Sequence, residues 1–192
     1  STMCGHGIIA LVTATLEHGL FNVPDPAKIR IDTPAGRITA RANLDSGGRV
    51  ESVSFVNVPS FVLEPKLTVE IDGTAVDCTI AFGGAFYAYV DAEPLGFELV
   101  ASEAADVIRL GQSIREAVSA SCAIVHPGGE DDLNFLYGTI FVREGDESGH
   151  SRNACVFAQS ELDRSPTGTG VSGRAAIHHA RGEIGLGQEL VI

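Results

Sequence analysis

Two short stretches constrain what this chain can fold into more than any other feature. Ser165-Pro166-Thr167-Gly168-Thr169-Gly170 leads into a helix-like segment, and Thr2-Met3-Cys4-Gly5-His6-Gly7 leads into a long apolar one. Both place a small nucleophilic side chain before Gly-x-Gly. In both a glycine follows fifteen positions after the nucleophile, Cys4 to Gly19 and Thr167 to Gly182. The pattern reads as a duplication in which Cys4 and Thr167 hold equivalent places.

From Gly7 to Leu16 the residues are apolar or small on every face, which predicts a helix buried all round. Gly19 suits the left-handed position that closes it. Strand-like alternation follows at Lys28–Ile31, Gly36–Ala42 and Val50–Val58, joined by Thr33-Pro34-Ala35-Gly36 and Asp45-Ser46-Gly47-Gly48, which carry hairpin residues. The expected unit is a hydrophobic helix enclosed by a curled antiparallel sheet. Leu63-Glu64-Pro65 breaks the pattern and marks the expected domain boundary.

Beyond it, Leu67–Ile71 and Ala75–Phe82 form a predicted hairpin around Asp72-Gly73, and Phe86–Val90 a strand behind Gly83-Gly84. Ser102 is the predicted N-cap of an amphipathic helix carrying Val107, Leu110, Ile114, Ala117 and Val118. Strands are expected at Cys122–His126, Leu136–Arg143 and Asn153–Gln159, with exposed loops over Pro127–Asn134 and Glu144–Arg152. The second buried helix should run from about Gly168 to Ala180, with a last strand beginning near Glu183.

The formal net charge of −12 excludes a broad nucleic-acid or anionic-membrane surface, because both need a basic face. Any anion must be held locally. Cys4, Cys78, Cys122 and Cys155 form no Cys-x-x-Cys pair, so neither a zinc ribbon nor a disulfide framework is expected. Cys78, Cys122 and Cys155 lie in strand-like apolar surroundings and read as core residues. His178 and His179 are adjacent on a helix and diverge, which argues against a shared metal. With no bilayer-length apolar run and no signal-peptide pattern, the expected location is cytoplasmic and reducing.

The first backbone N–H groups of a helix have no internal acceptor, so a helix start can hold an anion even on an acidic protein. Two such starts facing one another would form a carboxylate clamp, Cys4 on one side and Thr167 on the other. A thiol there should be acidified, which suits proton abstraction next to a carboxylate. His6 could hydrogen-bond a substrate or act as a turn residue. Asp163 could cap its loop or contact a ligand.

Met3-Cys4-Gly5-His6-Gly7, Phe82-Gly83-Gly84-Ala85-Phe86-Tyr87-Ala88 and Asp163-Arg164-Ser165-Pro166-Thr167-Gly168-Thr169-Gly170 resemble, in order and spacing, the signature blocks of the proline racemase family. The resemblance implies an α+β fold similar to diaminopimelate epimerase: two pseudo-symmetric domains, each a curled, mostly antiparallel sheet around a central helix. It also implies cofactor-independent chemistry, without a metal, on a small hydroxyproline-type imino acid. Racemases and epimerases of the family carry Cys at both helix starts. Thr167 in the second place resembles the trans-3-hydroxy-L-proline dehydratases of the family.

Carried over by matched position, Cys4 is the implied acceptor of the alpha proton, with Thr167 positioning the leaving hydroxyl or a water. Gly5, His6, Gly168 and Thr169 would hold the carboxylate through backbone N–H groups, and Asp163 the ring ammonium. Phe82, Phe86 and Tyr87 are assigned to packing near the site. Family members are longer than this chain, so residues 1–64 are expected to be the later part of a first domain and 65–192 most of a second. The alternatives are a racemase or hydroxyproline 2-epimerase using an unusual second acid, and a non-catalytic binder of proline-like amino acids; the pattern leaves room for a homodimer.

Overall fold

The computed structural model describes residues 2–129, 131–145 and 151–192. Residues 146–150 of the expected Glu144–Arg152 loop, and residue 130, lie outside this set. Helix α1 (Gly5–His18) opens the chain and ends at Gly19, whose φ of 60° supplies the left-handed cap. Strands β1 (Ile29–Thr33), β2 (Gly36–Leu44) and β3 (Val50–Val56) form an antiparallel three-stranded sheet. A second sheet of six strands has the order β4-β5-β6-β7-β8-β9: Phe61–Ile71, Thr74–Phe82, Phe86–Asp91, Leu136–Arg143, Arg152–Phe157 and Glu161–Leu162. Its pairings are antiparallel except β6 with β7, which α2 (Ala104–Ser121) connects as a crossover.

The six-stranded sheet is covered on both faces. Ile80, Phe82, Ala88, Val90 and Phe141 join Val107, Ile114 and Val118 of α2 in one core. Alternate residues of the same strands, Ala81, Tyr87, Tyr89, Ile140 and Cys155, join Ile177 of α3 (Gly168–Ala180) in the other. Strands buried on both sides show a continuous apolar run, and β6 reads Phe-Tyr-Ala-Tyr-Val before Asp91. The architecture is α+β, with α1 packed on the antiparallel three-stranded sheet and α2 and α3 on opposite faces of the mostly antiparallel six-stranded one.

Tyrosines seat α3 on this sheet. The Tyr89 hydroxyl donates to the Gly170 carbonyl at 2.7 Å, and the Tyr87 hydroxyl lies 2.8 Å from Thr169 Oγ1. Burial raises both phenols well above their ordinary range, so both stay neutral hydrogen-bonding groups. Asn57, in the link between the sheets, donates to the Gly83 carbonyl at 2.8 Å and to Ser172 Oγ at 2.9 Å. The β5–β6 turn, the link and α3 therefore converge. Gly83 is required there, since a Cβ would collide with the Thr169 carbonyl and stand 2.5 Å from the Gly173 nitrogen.

Several expectations are corrected. Helix α1 is buried on one face only: Ile8, Val12 and Thr15 are covered, whereas Ile9 and Leu11 are 42% and 45% exposed, because the three-stranded sheet lies along one side. Leu63-Glu64-Pro65 sits inside β4, where register shifts accommodate the proline; the change of sheet falls between Val56 and Phe61. Glu103, not Ser102, starts α2, its carboxylate accepting from the Glu98 and Val100 N–H groups. Cys122–His126 is not a strand, since Asn134 takes the His126 N–H at 2.7 Å. The segment after Gly182 forms turns instead of a strand, and β9 had no distinct sequence signal.

Gly83→Ala should lower the melting temperature by several degrees, given about 1–3 kcal/mol for overpacking and roughly 2–4 °C per kcal/mol in a domain this size. Gly185→Ala, with open space around its Cβ, should leave it unchanged. Calorimetry of the two variants checks the contrast.

Candidate active site

Helices α1 and α3 meet start to start. A Cβ on Gly5 would lie 3.6 Å from the Gly168 Cα, and a Cβ on Gly168 would lie equally close to the Gly5 Cα. At that distance an added methyl would make ordinary van der Waals contact, so the two backbones stand about one small side chain apart. Cys4 is the extended N-cap of α1 and makes no side-chain cap bond, and Thr167 likewise leaves the first-turn N–H groups of α3 uncapped. The first bonds back into the helices come from Ile8 N–H to the Cys4 carbonyl at 3.1 Å and from Val171 N–H to the Thr167 carbonyl at 2.8 Å. The donors before them, on Gly5, His6 and Gly7 and on Gly168, Thr169 and Gly170, have no acceptor within their helices.

A cavity of about 210 Å³ lies at this junction, lined by Cys4, His6, Tyr137, Phe157, Asp163 and Thr167 among others. It brings together every residue expected at the site: Gly5, Gly168 and Thr169 also line it. Cys4 is exposed, and its Sγ lies over the first turn, 3.3 Å from where a Gly7 Cβ would be. Thr167 is buried, and its hydroxyl donates to Asp163 Oδ2 at 2.8 Å while Asp163 Oδ1 accepts the Ser165 N–H at 2.8 Å. Asp163 thus both caps its loop and orients Thr167. The Thr169 hydroxyl is engaged with Tyr87, so of its polar groups the backbone N–H is the one with no acceptor within α3.

The aromatic assignment needs correction. Phe82 and Phe86 cluster with Phe61 and His126 in the core on the α2 side of the sheet, away from the cavity. Tyr87 is the member of that block that reaches the site. Tyr137 and Phe157, not singled out from the sequence, form a stacked pair with ring centroids 5.6 Å apart, and Tyr137 meets Tyr87 edge-on. Burial raises the Tyr137 phenol, and the nearby Cys4 adds to the effect. The strand periodicity of Leu136–Arg143 contained the position of Tyr137, but only the pairing of β7 with β6 and β8 aims it here.

Cys78 and Cys155 are core thiols as expected, and Cys122 is half-buried at the end of α2. Burial pushes Cys155 up to about 12 and Cys78 up to about 11. Cys155 lies beneath Thr167 and so supplies no second base near neutral pH. His178 and His179 take different partners, Glu183 and the Ile184 carbonyl. Among the described residues no three His, Cys, Asp or Glu side chains cluster to hold a metal, and no helix is long and apolar enough to cross a membrane.

The proline racemase family model matches residues 1–192. The chain belongs to the proline racemase family. It is 45% identical to a trans-3-hydroxy-L-proline dehydratase of Colwellia psychrerythraea, covering 100% of this chain and 54% of that protein. It is 40% identical to the human trans-3-hydroxy-L-proline dehydratase, covering 98% of this chain and 55% of that one. Among solved structures it resembles a hydroxyproline epimerase from Agrobacterium vitis with bound trans-4-hydroxy-L-proline, at a TM-score of 0.89 and 29% identity over 98% of this chain and 55% of that one. The chain spans about half the length of these relatives.

Alkylation at pH 8 followed by peptide mass spectrometry should modify Cys4 first and leave Cys78 and Cys155 untouched. Both buried thiols have folded values above the ordinary 9.0, so the stability they contribute is complete below pH 9 and is lost as pH rises toward 11 and 12. Denaturant midpoints should therefore fall between pH 9 and 11, and Cys155→Ser should flatten that decline.

Proposed function

We propose that the protein dehydrates trans-3-hydroxy-L-proline to pyrroline-2-carboxylate without a cofactor, Cys4 serving as the base. The observation that carries this reading is the pairing at the clamp of one exposed thiol with one hydroxyl that is already hydrogen-bonded to a carboxylate. Relatives named for that dehydration, 40–45% identical across the chain, support the choice of substrate. The compartment that suits such a thiol is the reducing cytoplasm.

The substrate carboxylate sits between the helix starts, taking backbone N–H bonds from Gly5 and His6 on one side and Gly168 and Thr169 on the other. These donors strengthen as the alpha carbon becomes enolate-like, and preorganised donors of this kind lower the barrier to its formation. Asp163 accepts from the ring ammonium. The Cys4 thiolate takes the alpha proton; the C–H electrons form the C2–C3 double bond, and the C3–O bond breaks. In trans-3-hydroxy-L-proline the alpha hydrogen and the 3-hydroxyl lie on the same ring face, opposite the carboxylate. The newly formed Cys4 thiol is therefore on the side from which hydroxide leaves and can return the proton, releasing water and restoring the thiolate.

Thr167 contributes no proton in this scheme. Its O–H is directed at Asp163, so only its lone pairs remain to orient substrate. A hydroxyl is too weakly acidic to be the second base that inversion of the alpha carbon requires.

Intact protein given trans-3-hydroxy-L-proline should form pyrroline-2-carboxylate, and Cys4→Ser should lose about 10²–10⁴-fold in rate, the range for a positioned general base. Epimerisation of 4-hydroxyproline without that product would reject the reading. Affinity for the imino acid with no turnover would favour a binding protein instead. Thr167→Cys should lower dehydration and introduce solvent deuterium at the alpha carbon of 4-hydroxyproline with inversion.

A further inference from the structure

Thr167 is held in a conformation that a β-branched residue disfavours, with φ 64° and ψ 98°. Such a conformation persists only where its surroundings impose it. Its hydroxyl is tied back to Asp163 and its carbonyl forward to Val171. What sets φ, however, is the orientation of the Pro166–Thr167 peptide plane. That plane is gripped at both edges. The Thr167 N–H donates to Ser165 Oγ at 3.1 Å, and the Pro166 carbonyl accepts from Asn153 Nδ2 at 3.2 Å.

Asn153 can donate there only if its amide faces one way, and Arg174 dictates which way. The Arg174 Nη1 group donates to Asn153 Oδ1 at 2.9 Å, which turns Nδ2 toward Pro166. Arg174 is 1% exposed and cannot swing aside, because Nε donates to His178 Nε2 at 3.1 Å and Nη2 donates to Glu144 Oε1 at 3.2 Å. His178 Nε2, being the acceptor, leaves its proton on Nδ1 to face Glu183. Every group in the chain from Glu183 to Pro166 therefore has one donor–acceptor assignment. Arg174 lies two turns along α3 from Thr167, so Asn153 fastens the helix start to its own body through β8.

We propose that Asn153 is a positioning residue for the active site, holding the Pro166–Thr167 peptide so that Thr167 meets Asp163 and the α3 N–H groups face Cys4, with Arg174 as its anchor. This role rests on the dehydratase reading only for its kinetic consequence. The backbone geometry can be read without it.

Asn153→Asp separates the two arms. A carboxylate still accepts from Arg174, now as an ion pair, but presents an oxygen to the Pro166 carbonyl in place of a donor. In the intact protein this variant should keep a melting temperature within a few degrees of wild type. Its kcat on trans-3-hydroxy-L-proline should fall at least tenfold, and its crystal structure should show Thr167 at negative φ. Asn153→Ser, which removes both arms without adding charge, should show the same kinetic and backbone change. Wild-type kcat in either variant, or Thr167 remaining near its present φ, overturns the proposal, as does a loss of activity no greater than the loss of folded protein. If wild type forms no pyrroline product, the functional reading fails alone, and the Thr167 backbone in the two variants still decides the role of Asn153.

Discussion

The meeting of two helix N-termini at Gly5 and Gly168 is the constraint on which the rest depends. Each start leaves peptide N–H groups without acceptors, and two such starts side by side would repel through their positive ends in the absence of an anion. That arrangement has to be imposed from elsewhere. The six-stranded sheet imposes it, with buried Tyr87 and Tyr89 bonded to the first turn of α3 and Asn57 fastening the link between the sheets to the β5–β6 turn and α3. Burial on both faces of β5–β7 supplies the rigidity, and the helix starts supply the charge complementarity toward a carboxylate.

Within that clamp the chemistry is asymmetric. Cys4 is exposed at the cavity, whereas Thr167 is buried and commits its proton to Asp163. The other thiol close by, Cys155, is locked in the protonated state by burial. One base on one face is what elimination requires when the departing proton and hydroxyl share that face. Inversion would need a second base across the ring, and a hydroxyl whose proton is committed to Asp163 is a poor one.

Local patterns in the sequence located most elements. α3 and β7 occupy their expected ranges, and β2, β5 and β6 differ by at most two residues at an end. The misses share a cause. Cys122–His126 has strand-like residues but finds its backbone partner in the Asn134 side chain, and Leu63-Glu64-Pro65 looks like a break but is absorbed by bulges in β4. In each case a partner outside the segment overrode its local preference. Apolarity all round α1 likewise states what could be buried, not what covers it.

For the candidate site, the sequence alone placed a thiol and glycines at one helix start and Thr167 with glycines at the other, because these are matters of residue identity. Spacing alone leaves Asp163 as either a loop cap or a ligand contact. Tertiary structure decided that Tyr87 rather than Phe82 or Phe86 reaches the cavity, that Tyr137 and Phe157 wall it, and that Asn153 grips the peptide before Thr167. Which face of a strand meets which helix depends on register across the sheet. A single side chain's hydrogen-bond partner is set by residues far away in the chain, and neither is encoded in local spacing.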